Sequence, residues 1–110
     1  MIAYIRGTVT AVEEDTAVVE TSGIGYLISL PLSDLEELTV GDEVKIHVYM
    51  AVREDAVELF GFYTREELDM FRLLISVSGI GPKAGMSILS LFTPKGLAGA
   101  VAAGDTKSMD

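Results

Sequence analysis

Along the first sixty residues apolar and polar positions alternate in short runs broken by turn residues, the pattern of half-buried strands. The clearest run is Glu43 to Met50, where Val44, Ile46, Val48 and Met50 alternate with Glu43, Lys45, His47 and Tyr49. Ile2 to Val12 is rich in β-branched and aromatic residues, and Gly7 marks a bulge or bend within it. Ala17 to Thr21 is a short strand, Ser22-Gly23-Ile24-Gly25 is a turn, and Tyr26, Ile28 and Leu30 share one face of the returning strand. Ser33-Asp34-Leu35-Glu36 has the form of a capping box and predicts one helical turn through Leu38. Gly41-Asp42 turns again, and Val57 to Phe62 makes a further strand. Five or six short strands in so short a stretch predict a small barrel of the OB type.

The period changes at Tyr63-Thr64. Thr64-Arg65-Glu66-Glu67 is a second capping box, and Leu68, Phe71, Leu74 and Ile75 then recur at helical spacing. That helix ends at Ser78-Gly79. Pro82 opens another, since a first-turn position does not need the N–H that proline lacks. This second helix runs through Met86, Ile88 and Leu89 to about Phe92. Thr93-Pro94 starts a third, which fades at Gly104, and Asp105 caps a fourth. The sequence stops roughly one turn into it, which points to a fragment of a longer protein. The fold class expected is α+β: a mainly β first domain over 1–62, an OB barrel, then a small all-α domain over 63–110, incomplete.

Composition narrows the options. At 49% hydrophobic residues and a mean hydropathy of +0.40, some apolar surface is expected to be buried against another subunit. No apolar run approaches the roughly 18–20 residues of a membrane helix, and no signal peptide is evident. With no cysteine, disulfides and thiolate metal sites are excluded, which fits a cytoplasmic protein. The net charge of −9 argues against nucleic-acid binding until its distribution is considered. Residues 1–62 carry only Arg6, Lys45 and Arg53 against twelve acidic residues, while 63–110 carry five of each sign. The excess acid is either a solvated surface or one face of a protein whose other face meets DNA.

Two short segments carry candidate chemistry. Ser78-Gly79-Ile80-Gly81-Pro82-Lys83 links two helices. The glycines permit tight backbone angles and close approach of a phosphate. Ile80 is placed to turn inward and pin the loop, leaving outward N–H groups beside a helix N-terminus to seat an anion. Lys83 lies in the first turn, where the helix dipole disfavours a cation, which hints at an external negative charge. Such a helix-hairpin-helix grips backbone without reading bases. A plain helix–helix turn is the alternative. Ser22-Gly23-Ile24-Gly25 carries the same letters between strands and is assigned no ligand. The other segment is Arg53-Glu54-Asp55, between two strands. An ordinary acidic hairpin tip explains it, yet carboxylates that repel phosphates also suit a protein that holds two duplexes apart.

Taken in order, Met1-Ile2, Arg6-Gly7, Gly23-Ile24-Gly25-Tyr26, Val52-Arg53-Glu54-Asp55-Ala56, Leu59-Phe60-Gly61-Phe62 and Ser78 through Ala84 resemble the RuvA family over the whole chain. The resemblance implies an OB-fold domain and a second domain with two helix-hairpin-helix motifs, of which this chain holds the first. It implies a planar homotetramer, one or two per junction, that holds open four-way (Holliday) junction DNA in recombination and in repair of DNA damage, including the SOS response. Glu54 and Asp55 would form an acidic pin at the tetramer centre, Arg53 would contact backbone beside it, and Gly79, Ile80, Gly81 and Lys83 would grip DNA. The motor ATPase RuvB would engage a C-terminal domain outside this chain, and the resolvase RuvC is a further expected partner. No cofactor, metal or catalytic residue is implied: the resemblance implies a non-catalytic subunit of a helicase complex. Two other classes stay in view. One is an OB-fold assembly module that binds no junction, with Met70 and Met86 either in the core or on an interaction surface. The other is a metal-dependent nuclease subunit using Glu54 and Asp55 with magnesium, for which no third ligand is evident. His47 reads as a solvated or core-edge residue, Glu13-Glu14-Asp15 as solvated, and no phosphate loop of the Gly-Lys-Ser/Thr kind is present.

Overall fold

The structure is a computed structural model and describes residues 1–77 and 79–91. Five strands are present: β1 (Tyr4–Val12), β2 (Thr16–Thr21), β3 (Ile24–Ser29), β4 (Glu43–Val52) and β5 (Val57–Phe62). They close into a barrel in the order β1-β2-β3-β5-β4, with β4 returning to β1. All contacts are antiparallel except the short parallel pairing of β3 with β5 at Ser29 and Phe60. A helix, α1 (Leu32–Leu35), lies between β3 and β4. The barrel is OB-like, as the alternation predicts.

The alternating apolar positions become the barrel interior. Ile5, Val9, Ala17, Val19, Ile28, Leu30, Val44, Ile46 and Val48 are buried there, with Leu35 and Leu38 closing one end. Closure leaves no full-length free edge, although the β3–β5 seam is joined only at Ser29 and Phe60. Tyr26 and Met50 are only half-buried, because both lie where their strands leave the tightly packed interior.

Three local expectations shift. The irregularity in β1 falls between Val9 and Ala11, not at Gly7. Gly7 is required for another reason: a Cβ there would overlap the carbonyl oxygen of Glu20 on β2. The turn after β2 is confined to Ser22 and Gly23, both at positive φ (53° and 82°), the geometry of a two-residue hairpin. Ile24 and Gly25 are already in β3. The Ser33 capping box does not form. Buried Pro31 takes the N-cap place with no side-chain cap, and Asp34 turns inward.

Two longer helices follow the barrel, α2 (Arg65–Val77) and α3 (Pro82–Leu91). At the start of α2 the expected capping box is complete: Glu67 N donates to Thr64 Oγ1 at 3.2 Å and Thr64 N donates to Glu67 Oε1 at 3.1 Å. A second core joins these helices to the outside of β4 and β5. Phe71 lies at its centre, with ring centroids 4.9 Å from Phe62, 5.5 Å from Tyr49 and 5.8 Å from Phe60. Leu68, Met86 and Leu89 complete the buried set, and Met70, Leu74 and Ile75 pack against it. Both Met70 and Met86 therefore serve packing. The third and fourth helices expected after Thr93 lie outside the described residues. Among the described residues no helix is long and apolar enough to cross a membrane.

Candidate nucleic-acid interface

The β4–β5 hairpin carries the first group. Val52 pairs with Val57, Arg53 N donates to the Ala56 carbonyl at 2.8 Å, and the tip is Arg53-Glu54-Asp55. All three tip side chains are exposed. Arg53 is drawn back along the hairpin into an ion pair with Glu58 of β5. Glu54 and Asp55 are in neither of the two salt bridges among the described residues. Two neighbouring carboxylates at the end of a projecting hairpin make a compact negative point.

The α2–α3 connection carries the second group. Gly79 has φ +68°, the left-handed conformation that ends a helix and that a side chain strains. Gly81 is different: it has no positive φ, and a Cβ there would meet nothing within 4 Å. No contact within the described chain therefore demands glycine at 81, which leaves its open side as room for an approaching group. The Gly81 carbonyl accepts from Gly85 N at 3.0 Å, so Gly81 caps α3 and Pro82 is its first residue, as expected. Ile80 is half-buried, and Lys83 is exposed in the first turn. Ser78 lies outside the described residues.

The two groups share a boundary that the sequence does not reveal. A cleft of about 560 Å³ between the barrel and α3 is lined by Lys83, Ser87 and Ser90 on one side and Asp15, Ser29 and Glu58 on the other, over an apolar floor that includes Phe60 and Met86. Glu58 thus pairs with Arg53 of one hairpin and lines the same cleft as Lys83 of the other.

The remaining candidates stay apart. Glu13, Glu14 and Asp15 are exposed at the β1–β2 turn. His47 is half-buried on β4, opposite Tyr4 and Phe62, and its pKa is lowered by burial first, then by Lys45 and Arg65. Among the described residues no three His, Asp or Glu side chains gather as metal ligands.

A buried carboxyl pair, Asp34 and Glu67, is unexpected from the sequence; both residues are only 5% exposed. Asp34 Oδ2 accepts from Tyr63 N at 3.0 Å, and its carboxyl lies within hydrogen-bonding reach of Glu67. Burial, then the contact with Glu67, pushes the Asp34 pKa up to about 8, against the pull of the Tyr63 N–H. The one signal in the sequence is Glu67's place in a capping box. Nothing there marks Asp34 as its neighbour.

Comparison with known proteins agrees with this architecture. Residues 1–61 match the family described as RuvA N terminal domain. Proteins named Holliday junction branch migration complex subunit RuvA are similar along the chain. The one from Acetivibrio thermocellus is 46% identical over 110 residues, covering 99% of this chain and 54% of that protein. The one from Lachnospira eligens is 50% identical over 110 residues, covering 99% and 53%. The one from Halorhodospira halophila is 52% identical over 91 residues, covering 82% and 45%. The chain spans about half the length of these relatives. An OB-like barrel matched from its first strand to its last, with the helices beyond it inside the aligned region, makes this chain a member of the RuvA family.

Proposed function

We propose that this chain supplies structure-specific, sequence-independent binding of four-way junction DNA, as part of a non-catalytic subunit of a branch-migration complex. The observation that carries it is the pairing, on one packed body, of a projecting Arg53-Glu54-Asp55 hairpin with a Gly79-Ile80-Gly81-Pro82-Lys83 helix-hairpin-helix. The first group offers carboxylates that repel phosphates, with Arg53 beside them to hold one. The second offers backbone N–H groups and Lys83 at a helix start with room for a phosphate at Gly81. Neither group is built to reach base edges, so recognition is of shape and backbone. In this reading the barrel (1–62) and the helices (63–110) act as two domains, the second completed by a further hairpin beyond this chain.

The relatives are named as subunits of a Holliday junction branch migration complex, which supports a junction-bound complex. We assign ATP hydrolysis to the partner RuvB, and include RuvC as a second partner and the cytoplasm as the location. Exposed apolar residues on the barrel, Ile24, Leu27 and Val40, suit assembly into a homotetramer. The test compares binding to an immobile four-way junction with binding to linear duplex across a salt series. It uses this chain and a chain extended to the relatives' length. Preference for the junction, weakened by salt, is expected in the extended chain. Equal or absent binding there overturns the proposal and leaves an assembly module.

A further inference from the structure

The helix between β3 and β4 is only four residues long, yet it touches both of the longer helices that follow the barrel. Leu32 N of α1 donates to Ser90 Oγ of α3 at 3.1 Å. Asp34 Oδ2 accepts from Tyr63 N, at the exit from β5, at 3.0 Å. The Asp34 carboxyl meets Glu67 in the first turn of α2, and Glu67 Oε1 is in turn held by Thr64 N at 3.1 Å and Thr64 Oγ1 at 3.2 Å. We propose that Asp34 and Glu67 form a carboxyl–carboxylate clamp, sharing one proton, that fixes the helices carrying the Gly79–Lys83 hairpin at one position on the barrel.

The chemistry follows from what surrounds the pair. Each carboxyl uses one oxygen to accept from a backbone N–H, so each presents an acceptor to that donor. Among the described residues neither pairs with a cation, since the two salt bridges are Arg53–Glu58 and Arg65–Asp69. Two buried carboxylates in contact without a cation repel strongly, whereas a carboxyl and a carboxylate make a short, charge-assisted hydrogen bond. The other charge acting on Asp34 is Glu37, just past α1, which adds to the repulsion. Burial, then the contact with Glu67, pushes the Asp34 pKa up to about 8, which favours a proton held between the two side chains. An unfolded chain releases that proton near the ordinary 3.8. Between those limits the folded chain holds more protons than the unfolded one, so stability falls as pH rises and levels off above about pH 8. The clamp itself stands apart from DNA binding; its effect on where the hairpin sits rests on the junction-binding proposal.

Thermal unfolding from pH 5 to 9 of this chain, D34N and E67Q tests it, with the Asp34 carboxyl carbon followed by NMR. In D34N the new amide keeps an oxygen for the Tyr63 N–H and offers an N–H to Glu67, with no proton to lose. In E67Q the new amide keeps an oxygen for Thr64 and offers an N–H to Asp34. We expect the wild-type melting temperature to fall by several degrees more than that of either variant across this range, and D34N to be the more stable protein above pH 8.5. We expect the Asp34 resonance to titrate in the neutral-to-alkaline range. Parallel melting curves for wild type and D34N, or an Asp34 resonance that titrates near the ordinary carboxylate value, overturn the clamp. Junction binding that is absent at every pH counts against the proposed function alone.

Discussion

Arg53, past the end of β4, reaches back along the β4–β5 hairpin to form an ion pair with Glu58, which sits opposite Ala51, so the arginine beside the acidic tip is partly neutralised within its own chain. If Arg53 contacts backbone as proposed, a DNA phosphate has to compete with Glu58 for that guanidinium. An exposed pair of this kind is worth about 0–1 kcal/mol. Removing the competitor by Glu58→Gln is therefore expected to tighten binding to four-way and linear DNA by roughly two- to five-fold at low salt. Arg53→Ala is expected to weaken both, and to reduce the salt dependence by about one phosphate contact. Titrations in a salt series read both effects, and an E58Q protein that binds no tighter than wild type rules out the competition.

Glu54 and Asp55 have a different expected signature. Carboxylates at a projecting tip repel any backbone that approaches, and in the proposed reading the tip holds duplexes apart at the junction. Neutralising them by Glu54→Gln and Asp55→Asn is expected to raise affinity for linear duplex more than for the junction. Discrimination then drops while the fold is unchanged, because both side chains are exposed at the tip. Competition of labelled junction with unlabelled duplex measures it. A variant that keeps full discrimination shows the tip to be an ordinary solvated turn.

Phe71 is the centre of the core that holds α2 and α3 against β4 and β5, and its loss is expected to loosen both helices. The ring is fully buried and touches Tyr49 and Phe60 as well as Phe62. Phe71→Ala is expected to cost about 3–5 kcal/mol. Such a loss is a large fraction of a small domain's total stability. Denaturant melts should show it, and Phe71→Leu should recover much of it by refilling the space. If α2 merely rested on the barrel, F71A would melt within about 1 kcal/mol of wild type, as surface changes do.

The barrel was legible because its strands alternate strictly enough to fix which side chains point inward: Val44, Ile46 and Val48 alone settle the register of β4. The start of α2 was legible because Thr64 and Glu67 satisfy each other within four residues. Both are local patterns. What the sequence hid depends on contacts between distant segments. Asp34 looks like a first-turn acid on a solvated helix, and only the closure of the barrel brings it to Tyr63 and Glu67, about thirty residues away. Gly7 looks like a bulge because a glycine in a strand usually marks one, but here the neighbouring β2 backbone leaves no space for a Cβ. Glu58 shows nothing in its surroundings along the chain to tie it to both Arg53 and the cleft beside Lys83.

The two glycines of the α2–α3 hairpin separate folding from binding. Gly79 is in the left-handed region, so Gly79→Ala is expected to cost about 1–2 kcal/mol through backbone strain alone. Gly81 is not, and a methyl group there points into open space. Gly81→Ala should therefore cost less than Gly79→Ala, up to about 1 kcal/mol because alanine is the poorer N-cap. If a phosphate approaches on that side, the same methyl blocks it and junction affinity falls several-fold in a chain that still folds. A plain helix–helix turn would leave G81A with the same small loss of stability and unchanged binding. Melting curves and junction titrations of the two variants, measured side by side, distinguish these outcomes.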